Sequence, residues 1–205
     1  FAGNKTAQGN QDGNDIGDFY YTPPTGFLAL CTSNLPAVAV IPSKHFNTVL
    51  YTGNAPTGQS ITGVGFAPDL SWFKSRTITS HHNLVDSVRG DNLRFRSNTT
   101  DDELTATVTL DSDGFTLGSQ TESNDGNMVA WNWKANGSGS SNTNGSITST
   151  VSANTDAGFS IVSYTGNGVG YGSGGATVGH GLSVAPEFIL VKRRDSSSGW
   201  VSYHP

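Results

Sequence analysis

The chain has 205 residues and a formal net charge of −5, with 13% of its residues charged against about 25% in an average soluble protein. Eleven Lys and Arg scattered along such a chain make no stripe that would track a phosphate backbone, which argues against a nucleic-acid surface. One cysteine, Cys31, excludes an internal disulfide and makes a cysteine-ligated metal implausible, and no run approaches the roughly 20 apolar residues of a membrane span.

Glycine supplies 26 residues, and Ser, Thr and Asn fill much of the remainder, so the chain is polar without being charged. Disorder requires low hydrophobicity together with high net charge, and here the aromatics recur at strand-like intervals. The composition points to an ordered all-β protein with long polar loops. No basic segment followed by an apolar core reads as a signal peptide.

Residues 1–18 read as a long Gly-, Asn- and Asp-rich loop. Asp12, Asn14, Asp15 and Asp18 raise the question of a structural cation in the Asp12–Asp18 loop. Calcium takes about six to eight oxygens, but the spacing does not fit an EF-hand and no Glu closes it. Asp and Asn are also ordinary turn formers, the preferred reading. Phe19 to Leu30 reads as an aromatic strand, a Pro-Pro-Thr-Gly turn and a second apolar strand. Phe27 to Cys31 is expected to be buried on both faces, with Cys31 an inert thiol. Pro36 and Pro42 mark an extended linker or edge strand, and a boundary is placed there.

Strands are then expected over 45–51, 60–64, 69–74, 84–88 and around 94–96. Glu103 to Leu110 alternates strictly and reads as one half-buried strand. It is followed by an Asp-Ser-Asp-Gly turn into Phe115 and by 128–134, where Val129, Trp131 and Trp133 share a face. Residues 136–144 read as a flexible Gly/Ser/Asn connection. Further strands are expected over 147–151, 159–164, 188–192 and from 200 onward, around a glycine loop at 167–175. No helix-period window appears. The fold class expected is all-β, with tandem β-sandwich units of jelly-roll or concanavalin-like type. The domains expected are 1–36, the C-terminal part of an upstream β-domain; 37–136, a first complete sandwich unit; and 137–205, a linker and the N-terminal part of a second, homologous unit. Both ends read as cut from a longer polypeptide.

The second unit is expected because one stretch occurs twice. FNTVLYTGN at Phe46 recurs as FSIVSYTGN at Phe159. Paired glycines follow (Gly63 and Gly65; Gly179 and Gly181), then Ala-Pro, an acid, an apolar run and a basic end. The offset is 113 residues at the tyrosine and 118 at the proline, too long for a propeller blade or solenoid repeat. The copies share turn chemistry and core positions and differ in their connectors, 55–59 against 168–175, so the repeated stretch reads as a scaffold presenting variable loops.

Candidate chemistry is sparse. His81 and His82 are the only adjacent imidazoles, but neighbours on a strand point to opposite faces, and exposed histidines in a polar loop are the preferred reading. Asp101, Asp102 and Glu103 bring glycosidase carboxylates to mind, yet consecutive acids do not face each other across a sugar. Trp131 and Trp133 suit a core or subunit interface better than a sugar platform. The candidate ligand or receptor contacts are Thr77, His81, His82, Tyr171, Trp131 and Trp133, with no catalytic, metal or cofactor residue assigned and no enzyme activity expected.

Several strings resemble a known group. Asp18-Phe-Tyr-Tyr-Thr-Pro-Pro-Thr-Gly-Phe-Leu-Ala-Leu-Cys-Thr-Ser-Asn-Leu-Pro36 resembles the end of a SPRY-like, concanavalin-type sandwich in large virion proteins of tailed bacteriophages, marine ones especially. Tyr51-Thr-Gly-Asn54, the run from Ile61 to Leu70, Asp86-Ser-Val-Arg-Gly90, the run from Leu110 to Gly118 and Ala130-Trp-Asn-Trp-Lys-Ala135 resemble an uncharacterised β-domain that follows it there. The resemblance implies a virion structural component, a tail fibre, head fibre or similar appendage, assembled in the host cytoplasm and contributing to host attachment. It implies partners among other virion proteins and copies of the chain itself, a homo-oligomer with a trimer favoured, and a host surface glycan. A lectin-like carbohydrate-binding module and a polysaccharide depolymerase are the alternatives.

Overall fold

A computed structural model describes residues 5–36, 40–170 and 173–205. Two compact units divide the chain, Phe1–Ala39 and Val40–Pro205. Among the described residues the regular structure is almost wholly antiparallel strand, with one α-helix, α1, of four residues (Thr121–Asn124) and two 3-10 turns, Thr32–Asn34 and Pro42–Lys44.

The first unit is organised by a side chain rather than a ladder. Both oxygens of the buried Asp12 are engaged: Oδ1 accepts the N–H groups of Asn14 and Ile16, and Oδ2 accepts Ala29 N–H at 2.7 Å and Asn34 Nδ2 at 2.7 Å. The expected strands of 19–30 do not form; a single bridge joins Asn10 to Phe19. Pro23 and Pro24 cannot donate to a ladder, and Ala29 donates to Asp12 instead. The run expected to be doubly buried is correspondingly open, with Phe27 69% and Leu30 102% exposed and Cys31 half-buried.

In the second unit, β1 (Phe46–Thr52), β9 (Asn127–Trp133), β3 (Leu70–Ser75), β4 (Asn83–Asp86), β5 (Gly90–Arg96) and β6 (Leu104–Thr105) form a six-stranded sheet in that spatial order. β2 (Gln59–Thr62), β8 (Gly114–Leu117) and β7 (Val108–Asp111) form a three-stranded sheet. The core joins the two sheets: Phe73, Val85, Met128 and Ala130 from the first meet Val108, Phe115 and Leu117 from the second, with Val64 and Phe66 between them in sequence. Phe73 and Phe115 pack edge-to-face at 4.9 Å, the geometry aromatic quadrupoles prefer. Period-2 alternation explains the arrangement. β9 turns Met128, Ala130 and Asn132 inward and Val129, Trp131 and Trp133 outward.

The strand expected over 103–110 is in fact two. Its alternation holds, with Ala106 and Val108 buried, but the chain leaves the larger sheet after Thr105 and joins the smaller one at Val108. The switch is pinned at its middle: Ala106 N–H donates to Asn92 O, and Thr107 bonds Gln120 through both backbone and side chain. The paired glycines earn their place here too. Gly63 and Gly65 both have positive φ (90° and 86°), open to glycine without strain, and both donate N–H to the Asp113 carboxylate.

The stretch expected to be a flexible connection carries β10 (Ser140–Asn142), which pairs with β11 (Ser149–Asn154), itself paired with β12 (Phe159–Tyr164). The last elements, β13 (Ile189–Val191) and β14 (Val201–Tyr203), form a two-stranded hairpin. At a constant offset of 118 this hairpin repeats the β3–β4 register residue for residue. Ser71↔Val85, Trp72↔Leu84 and Phe73↔Asn83 become Ile189↔Tyr203, Leu190↔Ser202 and Val191↔Val201.

Candidate functional site

The outward face of the six-stranded sheet carries the most distinctive chemistry. β3 and β9 pair with Trp72 opposite Trp131, and the two indoles contact each other at 5.6 Å, both half-buried. Alternation puts Lys74 on the same face. Trp72 Nε1 donates to Ser97 Oγ at 3.1 Å. Next to it, Asn98 Oδ1 accepts the His82 N–H and Asn98 Nδ2 lies 3.3 Å from His81 Nδ1, while Ser97 N–H donates to His82 O. An indole pair is thus flanked by hydroxyl, amide and imidazole groups. Burial, then the charge of Lys74 and that of His81, hold the His82 imidazole below its ordinary range, which favours the neutral ring that can both donate and accept.

The candidate residues are placed unequally. Trp131 contacts Trp72, and His81 and His82 meet Asn98, next to the Ser97 that accepts the Trp72 indole N–H. The histidines are half-buried rather than exposed as expected, because the Asn98 loop folds against them. Thr77 serves the turn: its Oγ1 accepts the Asn127 N–H at 3.0 Å where β3 passes to the start of β9. Trp133 lies at the far end of β9, 5.0 Å from Phe46 and stacked on Phe159 at 6.3 Å, joining the two copies of the repeat. Tyr171 lies outside the described residues. In the sequence Trp72 reads as core rather than as a ligand platform, because Leu190 stands at its place in the second copy, and Lys74, Ser97 and Asn98 carry no reading as contacts. The parity of Trp72 with Lys74 in DLSWFK is the available signal for the first two.

The acids near this face are committed to arginines. Asp101 Oδ2 meets Arg96 Nη1 at 3.0 Å, and Glu122 pairs with both Arg94 and Arg96. Glu103 accepts Arg89 Nη1 at 3.0 Å and Arg194 Nη2 at 2.9 Å, and Arg89 also pairs with Asp86. Burial pushes the Glu103 carboxyl up, but the hydrogen bonds from Arg194 and Arg89 outweigh it and hold it below the usual range. No group of three or more His, Cys, Asp or Glu side chains suited to a metal occurs among the described residues.

A six-stranded and a three-stranded sheet closing on one apolar core, with a partial repeat appended, define an all-β protein of sandwich-like character. Residues 41–205 match the model of a domain of unknown function, DUF7483, and the chain belongs to that family. No curated protein and no solved structure matches the chain.

Proposed function

We propose that the chain is a structural module of a tailed-phage surface appendage, not an enzyme, that contributes to host attachment by holding a glycan against the outward Trp72–Trp131 face. The observation that carries this reading is the indole pair beside Lys74, Ser97, Asn98 and His82. Sugar rings present C–H faces that stack on indoles and hydroxyls that need both donors and acceptors, and this surface offers both. The repeat, the low charge and the strings from Asp18 to Ala135 support the appendage part of the reading, together with its placement on the virion among other virion proteins. Tandem sandwich units, the second built on the β12–β14 segment, fit the same role. The pairing of Asp101 and Glu103 with arginines favours adhesion over depolymerase chemistry, because a general acid needs a carboxyl free to hold its proton.

A glycan array probed with the 205-residue chain tests attachment. Binding to a set of host-type surface glycans, lost in Trp131→Ala while the melting transition persists, is the expected result. An empty array would remove the glycan-binding reading, and release of reducing ends from those glycans would replace adhesion with depolymerisation. Mass measurement in solution tests the assembly, with a trimer expected and a concentration-independent monomer counting against it.

A further inference from the structure

The second copy of the hairpin is built like the first but is not covered like it. In the first copy Phe73 and Val85 are completely buried. Their register equivalents Val191 and Tyr203 are 37% and 54% exposed, and neighbouring Phe188, Leu190 and Val201 are 58%, 50% and 63% exposed. Among the described residues β13 pairs with β14 alone, whereas β3 lies between β4 and β9.

The first copy shows which edge is free and what sits on it. Arg76 N–H donates to Asn127 O, and Ser87 N–H donates to Asp69 O. Within β3 these bonds set the parity of the antiparallel ladder, even-numbered residues turning their backbone groups to β9 and odd-numbered ones to β4, while Asp69, just before the strand, gives its N–H to Trp133 O and its carbonyl to Ser87. Because β13–β14 keeps the β3–β4 register, Phe188, Leu190 and Lys192 turn theirs to the edge that β9 occupies in the first copy. Arg194, next in this series, already accepts the Glu103 N–H through its carbonyl at 2.9 Å and closes one end. An apolar edge with unpaired donors and acceptors recruits a strand, and proteins that do not want one blunt such edges with charge or proline.

We infer that the Phe188–Lys192 edge is an acceptor site for one antiparallel β-strand of the β9 pattern, with one defined departure from it. In the first copy Ser71 lies opposite Asn132, and its hydroxyl donates to the Asn132 Oδ1 at 2.7 Å, both residues fully buried. The register equivalent of Ser71 is Ile189. An amide opposite Ile189 finds no hydroxyl and is penalised on burial. The incoming strand therefore carries an apolar residue at that position. This inference stands on the repeat alone and holds whether or not the chain belongs to a virion.

The test uses the 205-residue chain and fluorescent peptides of the sequence NMVAWNWKA, residues 127–135, in an anisotropy titration. Saturable binding is expected, at least tenfold tighter for the peptide with Val in place of Asn132. Backbone N-methylation at Val129 and Trp131, whose N–H groups face β3 in the first copy, is expected to abolish binding; methylation at Ala130 and Asn132, which face β1, is expected to spare it. Leu190→Pro in the protein, which removes an edge N–H, is expected to mimic the first methylation, and the methylated peptides give the answer even if that variant misfolds. No saturable binding, equal binding of all peptides, or tighter binding of the Asn132 peptide (exchange into the first copy) would overturn the inference. So would self-association of the chain through this hairpin, which would make a second copy the occupant.

Discussion

Asn83 on β4 is completely buried, and among the described residues neither its Oδ1 nor its Nδ2 has a hydrogen-bond partner. The second copy places Val201 at the same register position, opposite Val191 as Asn83 is opposite Phe73. Asn83→Val opens no cavity, and its two methyls add about one methylene of volume, a small overpacking cost. It removes two buried unsatisfied groups, each costing about 1–3 kcal/mol, and adds a β-branched residue to a central strand. Discounting for the cost of fitting the bulkier valine branch, the net stabilisation expected is about 1–3 kcal/mol. At roughly 2–4 °C per kcal/mol for a unit of this size, the melting temperature should rise by about 2–12 °C. Urea unfolding followed by tryptophan fluorescence should show a higher midpoint at unchanged slope. Asn83→Ala, which removes the amide but leaves a void, should come out near wild type. Destabilisation of the valine variant by about 1 kcal/mol or more would show that the amide is satisfied in solution and that the reasoning from its isolation fails.

The other expectations concern single contacts. A Cβ on Gly53 would lie 2.3 Å from the Asn124 backbone, so Gly53→Ala should destabilise by about 1–3 kcal/mol, while Gly166→Ala, its equivalent in open space, should cost far less in the same urea titration. Asn124→Ala should cost about 3 kcal/mol by chemical denaturation, because the buried amide donates to Asn54 Oδ1, Thr57 O and Gly118 O and accepts from Gln59 and Asn54 N–H. The Ala29 N–H, then burial opposing it, then the other donors hold the Asp12 carboxyl down at about 2. A depressed acid contributes stability above its unfolded value near 3.8 that is lost as pH falls toward 2. Amide exchange at Ala29 should therefore accelerate across that window in wild type, and Asp12→Asn should flatten the dependence. Proton NMR should place His82 below 6.5, with Lys74→Gln moving it upward. Since the folded imidazole resists the proton, this residue's contribution is complete above 6.5 and declines as pH falls below it.

Much of the second unit was legible because alternation is local. The inward Met128, Ala130 and Asn132 and outward Trp131 and Trp133 follow from a period of 2 in MVAWNW. That β9 sits between β1 and β3 was not legible, since it depends on pairing across roughly 55 to 85 residues of sequence that no local pattern encodes. Strict alternation over 103–110 concealed a change of sheet, because inward and outward positions keep their parity when a strand crosses between two sheets on one core. The first unit misled for a different reason. Its apolar run looks like a strand, but Ala29 N–H goes to Asp12 while Phe27 and Cys31 donate to carbonyls only two or three residues back, and composition alone does not say that an acid will be a hub rather than a solvated turn. In the site, the aromatic members had a signal and Ser97 and Asn98 had none, because a hydroxyl and an amide in a polar loop are indistinguishable from their neighbours until a loop folds onto an indole.

The second hairpin has a thermodynamic consequence. Trp200 packs edge-to-face on Phe95 at 5.7 Å and donates to Arg96 O, and Lys192 Nζ stands 5.7 Å from the same ring. Every residue of β4, paired with β5, is buried. Melting the hairpin would strip this cover from β5, so opening of β13 and β14 carries a penalty inside the first copy. The two copies then behave as one cooperative folding unit, with amide protection in β4 and β5 rising and falling together with that in β13 and β14.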